Sequence, residues 1–368
     1  MQKSTTIVIA VGAVLVGAVV AARSCARGDA AAPIVPPRTD RSRAAPSPVT
    51  STRKPGRPAP PPTGSAIVAP DRDAAAADGK VVFFSAWGGS HKDQLGRERP
   101  QEGNPMGPMS LAHDARGNIY VLDQVNGRVV RRGPDGAIES TSAVTLRAAQ
   151  DVAVGKDGSM AVLDRLGDKA IALYDPAGAI KAQLPLEGEG ITETGYVTGV
   201  FVDGSDVYVE REHGPLVKVG DVNGTPAEPR TEIPGRPSRD GLSFLNAGLV
   251  DAPAGRAYVS SIDRASGQHR FTRELRLKAA IHGILLLDSD KAGTIYLAAS
   301  LHEDPHTDWV LLQCLEPLHG APIGSALLPV NTLPEETFRD LTVLDDGGVI
   351  YALRASDGVT YRHYDCGG

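Results

Sequence analysis

The chain has 368 residues, which is enough for one large β domain or two smaller domains but does not decide between them. Its 41 Gly and 28 Pro, against only 5% aromatic residues, are typical of a loop-rich β protein and not of a helical bundle. Residues 1–79 contain ten Lys or Arg and five Asp, a charge of +5, whereas residues 80–368, with 28 basic and 39 acidic residues, carry −11. An acidic body repels phosphate backbones, so nucleic-acid binding is not expected.

A continuous apolar run from Ile7 to Ala22 opens the chain and predicts an apolar N-terminal helix. Its length lies between a signal-peptide core and a membrane span of about 20 residues, so residues 1–28 are either a signal peptide or a transmembrane anchor. Lipidation of Cys25 is a third alternative. Arg23 argues against it, because lipoproteins carry a small apolar residue at that position. We expect the body to lie outside the cytoplasm, secreted or anchored to the membrane.

Residues 29–79 consist largely of Pro, Ala, Arg, Ser and Thr, with few large apolar side chains. Such a composition cannot bury a core, and it predicts a disordered, semi-extended linker. The composition changes at Lys80, where Val81–Trp87 has the residues of a strand followed by two glycines. A folded domain is therefore predicted over residues 80–368.

A hairpin pattern recurs along this body. Residues 109–132 align without a gap with residues 150–173, at a constant shift of 41 positions. Each copy has an apolar strand, a turn containing Gly or Asp, and a strand of the form apolar–Tyr–apolar, although Ala161 replaces the tyrosine in the second copy. Four further copies lie at residues 199–209, 247–259, 283–297 and 341–352.

Six repeats of about 40 to 50 residues, each with four antiparallel strands, predict an all-β fold, the six-bladed β-propeller. The last repeat, from Asp340 to Cys366, ends after its third strand, while the strand at residues 81–87 has no blade of its own. We expect this N-terminal strand to complete the last blade and close the ring, because closure removes the exposed strand edges.

The first copy carries a characteristic set of residues: Pro108, Leu111, Asp114, Gly117–Val121, Asp123, Asn126, Arg128 and Val129. In this set it resembles an NHL repeat, specifically over residues 80–186 and only generically over residues 196–366. The resemblance implies a propeller that serves as a protein-binding or ligand-binding platform. A minority of such propellers are enzymes, among them an amidating lyase and lactonase-like relatives with a metal at the axis, and the fold does not choose between these functions.

Residues that precede the innermost strand of each blade gather around the central channel of a propeller. The alignment places seven residues at these channel positions: Met109, Asp151, Thr198, Asn246, His282, Arg339 and Asp340. Asp151, His282 and Asp340 could supply oxygen and nitrogen ligands to a divalent metal. Asn246 would be a further ligand, and Arg339 would face an anionic substrate. The alternative is that these side chains only hold water or cap turns.

Several other residues attract attention without forming a catalytic motif. Cys314 and Cys366 form either a disulfide or two separate thiols, and the sequence leaves both open. The segment His302–His306 and the residue His213 are predicted to lie on hairpin loops near the channel mouth. No nucleophile elbow, phosphate loop or dinucleotide fingerprint is present in the sequence.

The recurrent side chains of the repeat are predicted to be structural. Asp123 and Asp164 occupy equivalent positions in the first two copies and are expected to fix the blades by hydrogen bonding. Five tyrosines at one strand position are expected to pack between blades: Tyr120, Tyr208, Tyr258, Tyr296 and Tyr351.

The sequence therefore predicts an extracytoplasmic propeller that acts as a binding or scaffold module. Its partner would be a protein, a peptide or a cell-envelope glycan at the loop face, with no cofactor, and the N-terminal segment would contact the membrane. The alternative is a metal-assisted lyase or hydrolase, with a divalent metal at the mouth of the central channel.

Overall fold

The computed structural model describes residues 66–68, 77–89, 91–304 and 307–367. These residues form six β-sheets and one short 3₁₀ helix, Thr194–Tyr196. The apolar run at residues 7–22 and most of the predicted linker lie outside the described residues, as do Pro305 and His306. Within the described ranges, no helix is both long and apolar enough to cross a membrane.

The strands are numbered β1 to β25 in chain order. Two precede the first complete sheet: β1 (Ile67–Val68) and β2 (Lys80–Ala86). Blade 1 contains β3 (Ser110–His113), β4 (Ile119–Asp123), β5 (Arg128–Arg132) and β6 (Ile138–Ala143). Blade 2 contains β7 (Asp151–Val154), β8 (Met160–Asp164), β9 (Ala170–Tyr174) and β10 (Ile180–Pro185). Blade 3 contains β11 (Val197–Asp203), β12 (Asp206–Arg211), β13 (Leu216–Asp221) and β14 (Glu232–Ile233).

The remaining three blades follow the same order. Blade 4 contains β15 (Arg236–Pro237), β16 (Ser243–Asp251), β17 (Arg256–Asp263) and β18 (His269–Arg276). Blade 5 contains β19 (Ala280–Ser289), β20 (Ile295–Asp304), β21 (Thr307–Leu315) and β22 (Pro322–Leu328). Blade 6 contains β23 (Leu341–Val343), β24 (Val349–Arg354), β25 (Gly358–Tyr364) and β2.

The body is thus an all-β, six-bladed propeller, as predicted. Each blade is an antiparallel sheet whose first strand is innermost, and neighbouring inner strands pack around a central axis. Apolar side chains of adjacent blades fill the space between the sheets, for example those of blades 2 and 3 in one continuous cluster. A single blade cannot bury both of its faces, so this packing between blades forms the core.

The ring closes as the sequence predicts. Strand β2 pairs antiparallel with β25 and supplies the outer strand of blade 6. Phe83 on β2 stacks on Tyr361 of β25, with ring centroids 4.2 Å apart. The first and last parts of the folded body are therefore joined within one sheet, which leaves no open blade edge at the point of closure.

The two recurrent aspartates fix their blades, as predicted. Asp123 is fully buried and accepts hydrogen bonds from the Gly96 backbone N–H, Asn126 Nδ2 and Arg128 Nε at 2.8–2.9 Å. Asp164 accepts hydrogen bonds from the backbone N–H groups of residues 166–168. The Asn and Arg that carry the NHL resemblance therefore serve to hold the turn of blade 1.

Blade 4 departs from the predicted repeat frame. The alignment assigned residues 247–259 to the first and second strands of a blade, but they lie in β16 and β17, which are the second and third. The inner strand β15 has only two residues, one of them Pro237, and it follows β14 after Pro234 and Gly235 alone. A proline-containing strand this short lacks the apolar alternation from which strands are recognised.

The body also reaches into the segment that was predicted as linker. Ile67 and Val68 form β1, which pairs in parallel with β18, and the Ile67 side chain is buried. The backbone N–H of Ala77 donates a hydrogen bond to the Leu327 carbonyl oxygen at 2.8 Å. Blade 4 consequently has a fifth, outer strand.

Cys314 and Cys366 form a disulfide, with Cα atoms 6.1 Å apart. This separation lies within the ordinary range for a disulfide. Of the two alternatives that the sequence leaves open, the structure contains the bond, which ties the C-terminal segment after β25 to the third strand of blade 5.

Candidate functional site

The central channel has two mouths. The first mouth is the end at which the inner strands begin, and the second mouth is the end at which they finish. Among the predicted site positions, Asp151 is the first residue of β7, and Arg339 and Asp340 directly precede β23, so these three lie at the first mouth. Asn246 and His282 instead lie inside β16 and β19.

Asp151 is a buried hub that joins four elements at the first mouth. It accepts hydrogen bonds from Ser110 Oγ at 2.5 Å, from the Val200 backbone N–H at 3.0 Å and from Arg339 Nη2 at 2.7 Å. Its carboxylate oxygens are thus engaged with blades 1, 3 and 6. We infer that Asp151 holds the inner strands in register.

Asp340 lies apart from this hub. Its carboxylate accepts hydrogen bonds from Asn331 Nδ2 at 3.0 Å and Arg354 Nη2 at 3.4 Å. Burial raises the pKa of the Asp340 carboxyl, and the charge of Arg354 only partly opposes this effect. The Asp340 carboxyl group is therefore a structural element of blade 6, where it binds Asn331 and Arg354.

A buried ion pair between Glu210 and Arg236 forms the floor of the first mouth. Arg236 donates two hydrogen bonds to the carboxylate, from Nε at 2.7 Å and from Nη2 at 3.0 Å, and the Glu210 side chain is 3% exposed. Thr198 Oγ1 donates a further bond at 2.9 Å, and His213 Nδ1 lies 3.4 Å away. Burial alone would raise the pKa of Glu210, but the charge of Arg236 and these hydrogen bonds lower it to about 2.

Phe201 separates the two mouths. Its ring lies 5.3 Å from the guanidinium of Arg236 and 5.2 Å from that of Arg339, and both contacts are within cation–π range. Phe201 also lines cavities on both sides of the channel. The Phe201 ring therefore lies between two guanidinium groups and borders both cavities.

The first mouth opens into a slot of about 500 Å³ beside blade 4. We define the slot by the residues that line it: Glu210, Glu212–Gly214, Arg236, Leu245–Leu249, Tyr258, His282–Ile284 and Leu287. Asn246 and His282, which were predicted as site residues, both line it, although Asp151 and Asp340 do not. This volume is in the range of ordinary ligand pockets.

The slot exists because the inner strand of blade 4 is too short. Strand β15 pairs only with Phe244 and Leu245, so β16 has no inner neighbouring strand from Asn246 onward. Leu249 is 46% exposed there. The missing part of an inner strand leaves a strand edge facing a cavity.

The second mouth contains a compact charged cluster. His113 Nδ1 lies 3.1 Å from Thr342 Oγ1, and His113 Nε2 lies 3.3 Å from Asp345 Oδ1. Lys291 Nζ lies 2.7 Å from Asp345 Oδ2, and Arg239 Nη1 lies 3.6 Å from Asp345 Oδ1. Two cavities border the cluster: one of about 130 Å³ is lined by His113, Arg239 and Asp345, and another of about 670 Å³ is lined by Lys291 and Asp345.

The titration of this cluster follows from its partners. Burial, together with the nearby charge of Arg239, lowers the pKa of His113, so the imidazole is neutral at neutral pH. Burial opposes ionisation of Asp345, but hydrogen bonds from His113 and Lys291 hold the pKa of its carboxyl far below the usual range. The positive and negative charges of the second mouth compensate each other internally.

The predicted metal ligands do not converge. In the part of the chain that the structure describes, no group of three or more His, Cys, Asp and Glu side chains is placed to hold a metal ion. Asp151 and Asp340 are engaged in the separate networks described above, whereas His282 lies in the slot. The sequence alignment predicted that these residues share one channel mouth, but among the described residues they are not close enough together to bind one ion.

Two hairpins carry the histidines that were expected near the channel mouth. His213 lies between β12 and β13 and lines the slot, as a loop at this face was expected to do. His302 is near the end of β20, where its Nδ1 lies 2.6 Å from Asp308 Oδ1. The tip between β20 and β21 includes residues outside the described ranges.

Neither a protein-family model nor a curated protein matches the sequence. Among solved structures, hydrazine synthase of Kuenenia stuttgartiensis is 13% identical, with a TM-score of 0.46 over 70% of this chain and 78% of its own. Regucalcin from Agrobacterium tumefaciens, a calcium-binding protein, is 13% identical, with a TM-score of 0.42 over 82% and 95%. Virginiamycin B lyase from Staphylococcus aureus is 12% identical, with a TM-score of 0.40 over 70% and 95%. The fold of this chain is established by its own six blades.

Sequence reasoning missed the residues that shape both mouths. Glu210 and Arg236 were absent from the predicted set because Glu210 lies within an ordinary second strand, β12, and Arg236 belongs to the unrecognised inner strand of blade 4. His113 and Asp345 were missed because they lie at the ends of inner strands and not at their beginnings. One signal was present: the long interval between the third and fourth copies contains Pro234–Gly235–Arg236–Pro237, where an inner strand was due.

Proposed function

We propose that this protein is an extracytoplasmic binding module whose ligand enters the slot at the first mouth. The observation that carries the proposal is the truncated inner strand of blade 4, which leaves a cavity of about 500 Å³ with accessible apolar and polar side chains. The second mouth offers less, since its charged groups bind one another.

The lining of the slot supports binding and does not suggest catalysis. Glu210 and Arg236 neutralise each other, and the Glu210 carboxylate accepts additional bonds from neighbouring groups. A general base needs free access to a substrate proton, whereas this carboxylate is held by an arginine and has a strongly lowered pKa. The pair therefore acts as a rigid floor, against which apolar residues such as Leu249 and Ile284 are available for contact.

The disulfide between Cys314 and Cys366 supports an extracytoplasmic setting. Disulfides persist in oxidising compartments and are rare in the cytosol. Together with the apolar N-terminal run, this bond is consistent with an exported body that a linker holds at the membrane surface.

The test uses substitution of a glycine that lines the slot. A Cβ atom at Gly283 would meet no atom within 4 Å, and the same is true at Gly195, which lies outside the slot. Gly283→Trp should therefore fill the slot without disturbing the fold, and Gly195→Trp is the matched control. Wild type and both variants would be screened by fluorescence against displayed random peptides and an array of cell-envelope glycans.

We expect ligands that bind the wild type and Gly195→Trp and that lose at least tenfold in affinity for Gly283→Trp. Thermal unfolding of all three proteins must show the same transition, so that loss of binding is not loss of fold. If every ligand recovered binds Gly283→Trp as well as it binds the wild type, the slot is not the binding site and the proposal is wrong.

A further inference from the structure

We propose that the ligand of the slot is an extended polypeptide segment, which adds to blade 4 as the missing part of its inner strand. The segment would pair with the free edge of β16 from Asn246 to Leu249. This inference rests on the proposed function, because it names the class of ligand that the same slot takes.

The first argument is the geometry of blade 4 compared with its neighbours. Inner strand β11 pairs with β12 at six positions, and inner strand β19 pairs with β20 at eight, whereas β15 pairs with β16 at two. Strand β16 itself is nine residues long. The second strand of blade 4 is thus built to full length, while most of the inner strand that should cover it is absent.

The second argument is the backbone of β16. In an antiparallel sheet, alternate residues direct their N–H and C=O groups toward opposite neighbouring strands. Strand β16 pairs with β17 on one side through Asn246–Leu249, and among the described residues no other backbone hydrogen bond involves these four. Half of their backbone groups therefore face the slot, and another extended backbone is the partner that satisfies such an edge most completely.

The third argument is the chemistry of the slot. Its apolar residues are available to alternate side chains of an added strand, and Leu249 in its lining is 46% exposed. The charges of the floor are already paired as Glu210 and Arg236. An ionic ligand would have to displace this pair, whereas a polypeptide backbone with apolar side chains would not.

The length of the added strand follows from the length of the free edge. Four residues at about 3.3 Å each span about 13 Å. The path ends at Gly235, which directly precedes the existing inner strand β15, because a Cβ at Gly235 would already lie 2.5 Å from the Leu245 carbonyl oxygen. The bound segment is therefore short, with about four residues in contact.

The experiment uses a peptide selected on the wild-type protein from a displayed library of random twelve-residue sequences. Synthetic copies would carry a single backbone N-methyl group at each position in turn, which removes one N–H donor and leaves the side chains unchanged. Affinity for wild type, Gly283→Trp and Gly195→Trp would be measured by fluorescence anisotropy.

Strand addition predicts an alternating pattern along about four consecutive positions. N-methylation should weaken binding at least tenfold at every second position and much less at the positions between, and Gly283→Trp should abolish binding. If Gly283→Trp abolishes binding but N-methylation has no alternating effect, the slot binds peptides in another way and strand addition is wrong.

Two further outcomes separate this inference from the proposed function. If only glycans bind in a manner that Gly283→Trp blocks, the slot is a binding site but its ligand is not a polypeptide, which overturns the inference alone. If neither peptides nor glycans depend on the slot, both the inference and the proposed function are overturned.

Discussion

The two mouths of the channel are formed by the same repeat, but one contains paired charges and the other contains an unpaired strand edge. At the second mouth, Asp345 is bound by His113 and Lys291, and Arg239 is bound by Asp288, so that the charged groups satisfy one another. At the first mouth, the inner strand of blade 4 stops early and leaves part of β16 without a neighbour.

The difference shows where a propeller of this kind can accept a ligand. A cluster of paired charges must be broken before it binds anything, and breaking buried pairs is costly. A free strand edge has no internal hydrogen bond to break on binding, and its backbone groups exchange water for the backbone of the ligand. The prominent charged residues therefore stabilise the fold, and the incomplete blade supplies the surface for recognition.

The largest expected effect concerns the floor of the first mouth. Glu210→Ala leaves Arg236 without its bidentate partner in a buried site, and it should lower the free energy of unfolding by about 3 kcal/mol. Glu232→Ala, which removes the half-exposed partner of Arg211, is the control and should cost less than about 1 kcal/mol. Urea unfolding measures both, and equal effects would show that the floor is not a specially stabilising pair.

The second mouth should respond less strongly to loss of its central carboxylate. Asp345→Asn removes the charge that His113, Lys291 and Arg239 share, and we expect a loss of about 2 kcal/mol in the free energy of unfolding. The exposed neighbour Asp346 provides the control, Asp346→Asn, with an expected change within about 0.5 kcal/mol. Peptide binding at the slot should stay unchanged in both variants, and a parallel loss of binding would contradict the independence of the two mouths.

A pH dependence should also distinguish the mouths. Burial lowers the pKa of His113 below its ordinary 6.5, so the unfolded chain takes up a proton before the folded protein does. The stabilisation is present above pH 6.5, and it is lost as the pH falls toward the folded pKa. The free energy of unfolding should decrease between pH 7.5 and pH 5.5, and His113→Gln should flatten this slope. Identical slopes in wild type and variant would assign the titration to another group.

The smallest expected effect concerns the open space of the slot. A methyl group at Gly283 meets no atom within 4 Å, so Gly283→Ala should change the free energy of unfolding by less than about 0.5 kcal/mol or stabilise the protein slightly. Gly324→Ala is the contrasting variant, because a Cβ there would lie 2.4 Å from the Cys366 carbonyl oxygen, and it should be clearly destabilising. Thermal unfolding compares the two, and a large loss for Gly283→Ala would show that the slot is not open.

The sequence was sufficient for the architecture because each blade repeats the same local pattern. The hairpin around Gly117, the apolar–Tyr–apolar strands and the unpaired strand at residues 81–87 together predicted six blades and the closure through β2, which the structure confirms. Asp123 and Asp164 were correctly predicted as structural residues, since most of their partners lie in the same turns.

The site was harder to predict because it arises from an interruption of the repeat. Asp151 and Arg339 lie at the first mouth, but the alignment could not show that they bind each other at 2.7 Å. Asn246 was placed before an inner strand because the repeat frame of blade 4 was shifted by one strand. A two-residue strand with a proline leaves no periodic signal, so hydrophobic periodicity did not reveal the gap that creates the slot.

The most direct test of the account is amide hydrogen exchange of the free protein, resolved along blade 4 and blade 5. Alternate amides within Asn246–Leu249 should exchange rapidly, because they face the slot, whereas Ala298–Leu301 of β20, which pairs with strands on both sides, should be strongly protected. Equal protection of the two segments would mean that the edge of β16 is already covered, and it would contradict the claim that blade 4 lacks part of its inner strand.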